Sequence, residues 1–166
     1  MRYSNIDYFE IVNGTDVGVS LYTQGCPRHC KGCFNQQAWD FDGGEKYTIE
    51  FRDKIVAACC RPGIKRFSIL GGEPLLERNK DELMTLCSLI KEANPHIKIW
   101  VYTGDIYENV KDDWYELLYN YVDVLVDGPY VDSKRDLRLK FRGSSNQRVI
   151  DVRKSIFEGK VVEISD

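Results

Sequence analysis

Val17-Gly-Val-Ser-Leu-Tyr22 runs directly into Thr23-Gln-Gly-Cys26-Pro-Arg-His-Cys30-Lys-Gly-Cys33. The first six residues alternate. Val17, Val19 and Leu21 fall on one side and Gly18, Ser20 and Tyr22 on the other, the period of two that a β-strand requires. The strand then meets a loop that holds glycine, proline and three cysteines within eight residues. The same arrangement recurs along the chain. Residues 66–70, 97–102 and 122–126 are short β-branched or aromatic runs, and each is bounded by Gly, Pro or Asp. They run into Gly71-Gly72-Glu73-Pro74, Thr103-Gly104-Asp105 and Asp127-Gly128-Pro129 respectively.

Helical spacing fills the intervals. Leu83, Leu86, Cys87 and Ile90 lie at i, i+3, i+4 and i+7, one apolar face of a helix. Trp114, Leu117, Leu118 and Tyr121 repeat that spacing, with Asp113 placed as an N-cap. A third helix is expected from Thr48 to about Cys60, with Phe51, Ile55 and Cys59 stacked, ending at Arg61-Pro62-Gly63. Strands alternating with helices predict parallel βα units in an α/β fold, one domain over residues 1–166. A closed eight-fold barrel usually takes ~250 residues, so an open or partial barrel with a mostly parallel sheet fits this length better. Ligands in such folds bind outside the carboxyl ends of the strands, where the four turns collect.

Hydrophobic residues make 43% of the chain and charged residues 30%, a globular composition that argues against disorder. No apolar run approaches the roughly 18 residues that span a bilayer. The first ten residues are polar and acidic, without the apolar stretch of a secretory signal. The expectation is a cytoplasmic protein that does not engage a membrane. A net charge of −3 excludes a wholesale nucleic-acid binder. The charge is uneven, however. Between Lys134 and Lys154 eight basic residues stand against two acidic ones, a net +6 that leaves −9 on the remainder. That segment is either a solvated face or one that meets an anionic ligand or acidic partner.

Six cysteines are present, three of them spaced C-x3-C-x2-C. So tight a group cannot brace a domain with disulfides, and in a reducing compartment it points to metal binding or catalysis. Thiolates are soft ligands, suited to iron–sulfur clusters, zinc or copper(I). A structural zinc site wants four ligands, and Cys59, Cys60, Cys87 and His29 offer no paired spacing to supply the fourth. Three thiolates on a four-iron cubane would leave one iron open for a substrate. A zinc-stabilised binding module and a plain electron carrier remain the readings from other classes. Cys59 and Cys87 lie on apolar helix faces and read as small buried hydrophobes; Cys60 stays unassigned. By itself Gly71-Gly72-Glu73-Pro74 is compatible with an ordinary tight turn, and Thr103, Asp105 and Asp127 with turn or helix-cap residues.

On the cysteine spacing and on Gly71-Gly72-Glu73-Pro74, the chain resembles the radical S-adenosylmethionine enzymes. More narrowly, it resembles the family that activates the anaerobic ribonucleotide reductase. The matching stretches are Ile11-Val12-Asn13-Gly14, residues 26–35, 71–74, 100–104 and 125–128, and Arg142-Gly-Ser-Ser-Asn-Gln147. One departure is Gly32, where the superfamily pattern has an apolar or aromatic residue before the third cysteine; Phe34 follows that cysteine instead. The resemblance implies a partial, TIM-like βα barrel. It implies that Cys26, Cys30 and Cys33 hold a [4Fe–4S] cluster whose open iron takes the amino and carboxylate groups of S-adenosyl-L-methionine. Backbone groups of Gly32, Cys33 and Phe34 would lie against that cofactor, and Gly71, Gly72 and Glu73 would hold its methionine end. One electron from an external donor would yield methionine and a 5′-deoxyadenosyl radical. That radical would take a hydrogen from a glycine Cα in the radical loop of the partner, anaerobic ribonucleoside-triphosphate reductase. No side chain is implied as a catalytic acid or base. Thr103, Asp105 and Asp127 are candidates for the ribose or carboxylate. Arg142, Asn146, Gln147 and Arg148 are candidates for the partner or the cofactor carboxylate. Another glycyl-radical activase, or a radical enzyme acting on a small molecule, is the alternative within the superfamily.

Overall fold

Four parallel strands form the centre of the sheet, β2 (Gly18–Thr23), β4 (Arg66–Gly71), β5 (Lys98–Tyr102) and β6 (Val124–Asp127), hydrogen-bonded in that order. The computed structural model describes residues 1–165. On one side of the centre, β1 (Arg2–Glu10) runs antiparallel to β2 and carries the two-residue β3 (Glu45–Lys46) at its outer edge. On the other side, β7 (Arg148–Asp151) runs antiparallel to β6. The seven-stranded order is β3-β1-β2-β4-β5-β6-β7, and its two end strands do not pair, so the sheet is open.

The alternation within the strands decides how the sheet is covered. Val19, Leu21, Phe67, Ile69, Ile99, Val101, Leu125 and Ile150 all join one core with the helices. Those helices are α1 (Ile49–Cys59), α2 (Lys80–Ala93), α3 (Tyr107–Val110), α4 (Tyr115–Asn120) and α5 (Val152–Glu158). Trp100, Val124, Val126 and Val149 form a second, smaller cluster on the reverse face, with Tyr102 and Phe141 packed against it. The helices therefore pack on one face of the sheet, and the smaller cluster lies on the reverse, or inner, face.

The inner face has a polar floor. Arg66 is fully buried there, and its Nη1 donates to Glu10 Oε1 at 2.6 Å and to Ser68 Oγ at 2.6 Å. Its Nε donates to the carbonyl of Thr15 at 2.9 Å. Ser20 Oγ donates to the same Glu10 oxygen at 2.5 Å, and Ser68 Oγ to the carbonyl of Asn13 at 2.7 Å. The stretch Ile11-Val12-Asn13-Gly14 thus closes the end of the sheet away from the cysteines. Gly14 lies against Arg66 and Trp100 with φ of 141°, where a side chain would have neither the space nor the backbone conformation.

The expected strands are β2, β4, β5 and β6, within two residues at each end. Thr48 caps α1, its hydroxyl accepting from the amide of Phe51 at 3.1 Å. Asp113 does not cap the helix expected after it. Lys111 and Trp114 already donate to the carbonyls of Tyr107 and Val110 at 2.9 Å, so helical turns precede Asp113 and leave no open N-terminus for it. No helix among the described residues is long and apolar enough to cross a membrane.

Candidate metal and cofactor site

Two backbone turns meet at the carboxyl ends of β2 and β4. The amides of Gly72 and Glu73 donate to the carbonyls of Thr23 and Gly25, each at 2.9 Å. Gly71 abuts the end of β2, and Gly72 the loop that follows it. A Cβ on Gly71 would strike the backbone of Thr23, and one on Gly72 the carbonyl of Gly25. The first use of Gly71-Gly72 is thus to let the two turns touch. Gly72 has ordinary φ, so Gly72→Ala tests sterics alone. It is expected to cost about 1–3 kcal/mol, as overpacking against rigid backbone does. Thermal unfolding checks it, and an unchanged midpoint would refute the packing account.

Glu73 is 2% exposed and completely occupied. Its carboxylate accepts from the Leu75 amide at 3.1 Å, from the Gly104 amide at 2.9 Å, and from Thr103 Oγ1 at 2.9 and 3.0 Å. Arg28 Nε adds a further bond at 3.0 Å. The loop after β5 is thereby tied to the turn after β4. Thr103 Oγ1 also accepts from the Asp105 amide at 3.1 Å. Asp105 Oδ1 accepts from the Ile106 amide and from Asn109 Nδ2, each at 2.8 Å. Burial alone would raise the Asp105 carboxyl, but these two bonds and the nearby Arg28 guanidinium hold it below its usual range.

Asp127, fully buried at the end of β6, accepts from the Tyr107 amide at 2.7 Å and from Arg148 Nε at 3.0 Å and Nη2 at 2.5 Å. Arg148 also pairs with Glu108. Thr103, Asp105 and Asp127 are therefore turn and cap residues, as their positions predict, and Arg148 belongs to the scaffold rather than to an outward face. The Arg-Gly-Ser-Ser-Asn-Gln block braces the same edge. Gln147 Oε1 accepts from the amides of Gly143 and Ser144 at 3.0 and 3.1 Å, while Gln147 Nε2 and Asn146 Nδ2 donate to the carbonyls of Gly128 and Pro129 at 3.1 and 2.7 Å.

These turns border a cleft of about 800 Å3, open mouth included. Cys26, Cys30 and Cys33 line it, with Phe34, Gly71, Gly72 and Glu73 opposite or beside them. Gly32 does not. It turns at φ of 77° against the Asp132 side chain, a contact that leaves no room for a Cβ. Phe34 stands at the mouth, 88% exposed. Burial holds the Cys26 thiol above its usual range, and the Glu73 carboxylate adds to the effect. The Asn35 amide donates to Cys33 Sγ at 3.4 Å. His29 stacks on Trp39 with ring centroids 4.4 Å apart. Among the described residues no three Cys, His, Asp or Glu side chains converge as on a single metal ion. A cubane asks for something else, one thiolate at each of three separate corners. Three soft donors facing one cleft, with an amide aimed at one sulfur, are a donor set that fits such a cluster. Cys59 and Cys87 lie in the helix-side core and Cys60 is exposed at the end of α1, none of them in this cleft.

Residues 12–150 match the family described as "4Fe-4S single cluster domain". Curated relatives agree along nearly the whole chain. The anaerobic ribonucleoside-triphosphate reductase-activating protein of Vibrio cholerae is 37% identical over 149 residues, 89% of this chain and 96% of that one. Its namesake in Salmonella typhi is 36% identical over 92% of this chain and all of its own length. The one in Enterobacteria phage T4 is 34% identical, over 90% of this chain and 93% of its own. The chain belongs to the family of these activating proteins. Within that family frame the cleft brings together Cys26, Cys30, Cys33, Phe34, Gly71, Gly72 and Glu73 but not Gly32; of the further candidates Thr103 and Gln147 line it, and Asp105, Asp127, Arg142, Asn146 and Arg148 do not. The predicted residues did not include Arg28, nor Tyr102 and Tyr130 of the cleft wall. An arginine between two cysteines offers no signal in sequence, because its partner Glu73 is 45 positions away.

Proposed function

We propose that this protein activates an anaerobic ribonucleotide reductase by forming a glycyl radical on it. The observation that carries the reading is the single cleft lined by Cys26, Cys30, Cys33 and the Gly71-Gly72-Glu73 turn, in a member of the reductase-activating family. Cys26, Cys30 and Cys33 would hold the cluster, within one radical S-adenosylmethionine domain of partial-barrel form. When bound, a [4Fe–4S] cluster supplies an electron for reductive cleavage of S-adenosyl-L-methionine, giving methionine and the 5′-deoxyadenosyl radical that abstracts the glycine hydrogen. The chain's own part is position and exclusion. The Asn35 amide stabilises charge on the Cys33 sulfur, and the Gly71-Gly72 turn presents its backbone beside the cysteine loop. The polar floor closes the far end, so that reactants enter from the mouth at Phe34. The reading sets the protein in the cytoplasm, with an external one-electron donor and the reductase as partners.

The test is chemical analysis of protein purified without oxygen, followed by incubation with reductant, S-adenosylmethionine and the reductase. Iron with equimolar acid-labile sulfide, and a glycyl signal on the reductase by electron paramagnetic resonance, are expected. Zinc without sulfide would replace this reading with a structural metal module.

A further inference from the structure

Most of the cysteine loop beyond Cys26 has few attachments to the sheet. The amide of Cys33 bonds within the loop, to the carbonyl of Cys30 at 3.1 Å. His29 stacks on Trp39, and Gly32 meets Asp132. Arg28, between the first and second cysteines, is the side chain that reaches the strand ends. Its Nε donates to Glu73 Oε1 at 3.0 Å, its Nη2 stands 3.4 Å from Asp105 Oδ2, and its stem packs against Gly104. Of the donors to Glu73, those from Leu75, Thr103 and Gly104 belong to the β4 and β5 ends. Arg28 alone among them comes from the cysteine loop.

Resting on the function proposed above, we infer that Arg28 is a positioning residue: through Glu73 it makes the cysteine loop and the cofactor turn one unit. With its oxygens already filled by the chain's own donors, the Glu73 carboxylate would act by fixing that geometry rather than by gripping the cofactor directly. Two loops that must present a cluster and a small molecule to each other lose function when they drift by an ångström, and a charge-assisted bond from Arg to a buried carboxylate is strong enough to prevent it. Removing Arg28 leaves Glu73 three other donors, so the fold and the three cysteines should survive.

The experiment compares wild type, Arg28→Gln, Arg28→Lys and Glu73→Gln, each purified without oxygen, in three respects: iron and sulfide content, affinity for S-adenosylmethionine, and the change in the reduced cluster's paramagnetic resonance when S-adenosylmethionine is added. Arg28→Gln is expected to keep its iron and sulfide but to bind S-adenosylmethionine about 10-fold or more weaker, the usual scale for residues that orient a metal site. Its spectral change should vanish at concentrations that saturate wild type. Arg28→Lys, which keeps a charged donor, should recover part of the affinity. In a Glu73→Gln background the Arg28→Gln effect should shrink, because the two act as a pair. Equal affinity and spectra in wild type and Arg28→Gln would overturn the inference. So would loss of the cluster itself in both Arg28 variants, or full additivity with Glu73→Gln. A wild-type protein with no cluster, or with no spectral response to S-adenosylmethionine, would overturn the proposed function first and this inference with it.

Discussion

Changing Cys26, Cys30 or Cys33 to alanine is expected to reduce acid-labile sulfide and S-adenosylmethionine cleavage to background, whereas Cys59→Ala and Cys87→Ala should retain both. The contrast follows from environment. The first three line the cleft, and the Asn35 amide hydrogen-bonds one of their sulfurs. Cys59 and Cys87 are fully buried among the side chains that join α1, α2 and the sheet. Burial pushes the Cys87 thiol up to about 12 and holds the Cys59 thiol well above the usual thiol range. Packed in the helix-side core, neither sulfur lines the cleft where a cluster would sit. Their loss should cost about 1 kcal/mol of stability, typical of a point mutation, and no iron. Iron and sulfide assays on the five variants decide it. Full sulfide in Cys30→Ala, or its loss in Cys87→Ala, would refute the assignment.

The elements that set this site were legible because two periodicities carry them. Alternation in β2 and its neighbours, and four-residue spacing in α1 and α2, place the strand ends and hence the four turns at one edge. What escaped was governed by contacts that no spacing encodes. In β1 the pairing with β2 shifts register between Tyr3 and Asn5 and again between Asp7 and Glu10. The side chains that pack against the core, Tyr3, Ile6 and Tyr8, therefore break the period of two. β7 has four residues inside the basic stretch, too few to announce a period. Part of the excess charge there is answered by ion pairs, while Lys134, Arg135, Lys140 and Lys154 are exposed. Arg148 answers Asp127 and Glu108, Arg153 answers Asp123, and Arg138 answers Asp136. Glu73 was found for its place in a motif, but its partners Arg28, Thr103 and Gly104 sit on other loops and required the fold.

The largest stability effect is expected at a residue that the sequence presents only as the start of an apolar run. Arg66→Met should lower stability by about 3–5 kcal/mol, because it leaves the Glu10 carboxylate partly buried without its cation. In a domain of this size that is a fall of about 6–20 °C in the unfolding midpoint. The dependence on pH gives the sign. Burial by itself would raise the Glu10 carboxyl, but hydrogen bonds from Arg66, Ser20 and the amides of Asn13 and Val12 win and hold it below its ordinary 4.5. A carboxylate depressed in the folded state contributes stability that is fully present above the unfolded value and is lost as pH falls through the folded one. In wild type that loss lies below about 4.5. Without Arg66, burial prevails and Glu10 takes up its proton at higher pH, which relieves the unpaired charge. The gap between wild type and Arg66→Met should therefore be widest near neutrality and narrow in acid. Thermal melts of the two proteins across this range measure it. Pairing Arg66→Met with Glu10→Leu should restore much of the loss, since a buried ion pair exchanged for packed apolar groups is often neutral. A constant gap at every pH would show that Arg66 stabilises the floor by packing alone. A gap that closes in acid would establish the Glu10 ion pair as the bond that holds residues 11–16 across that face of the sheet.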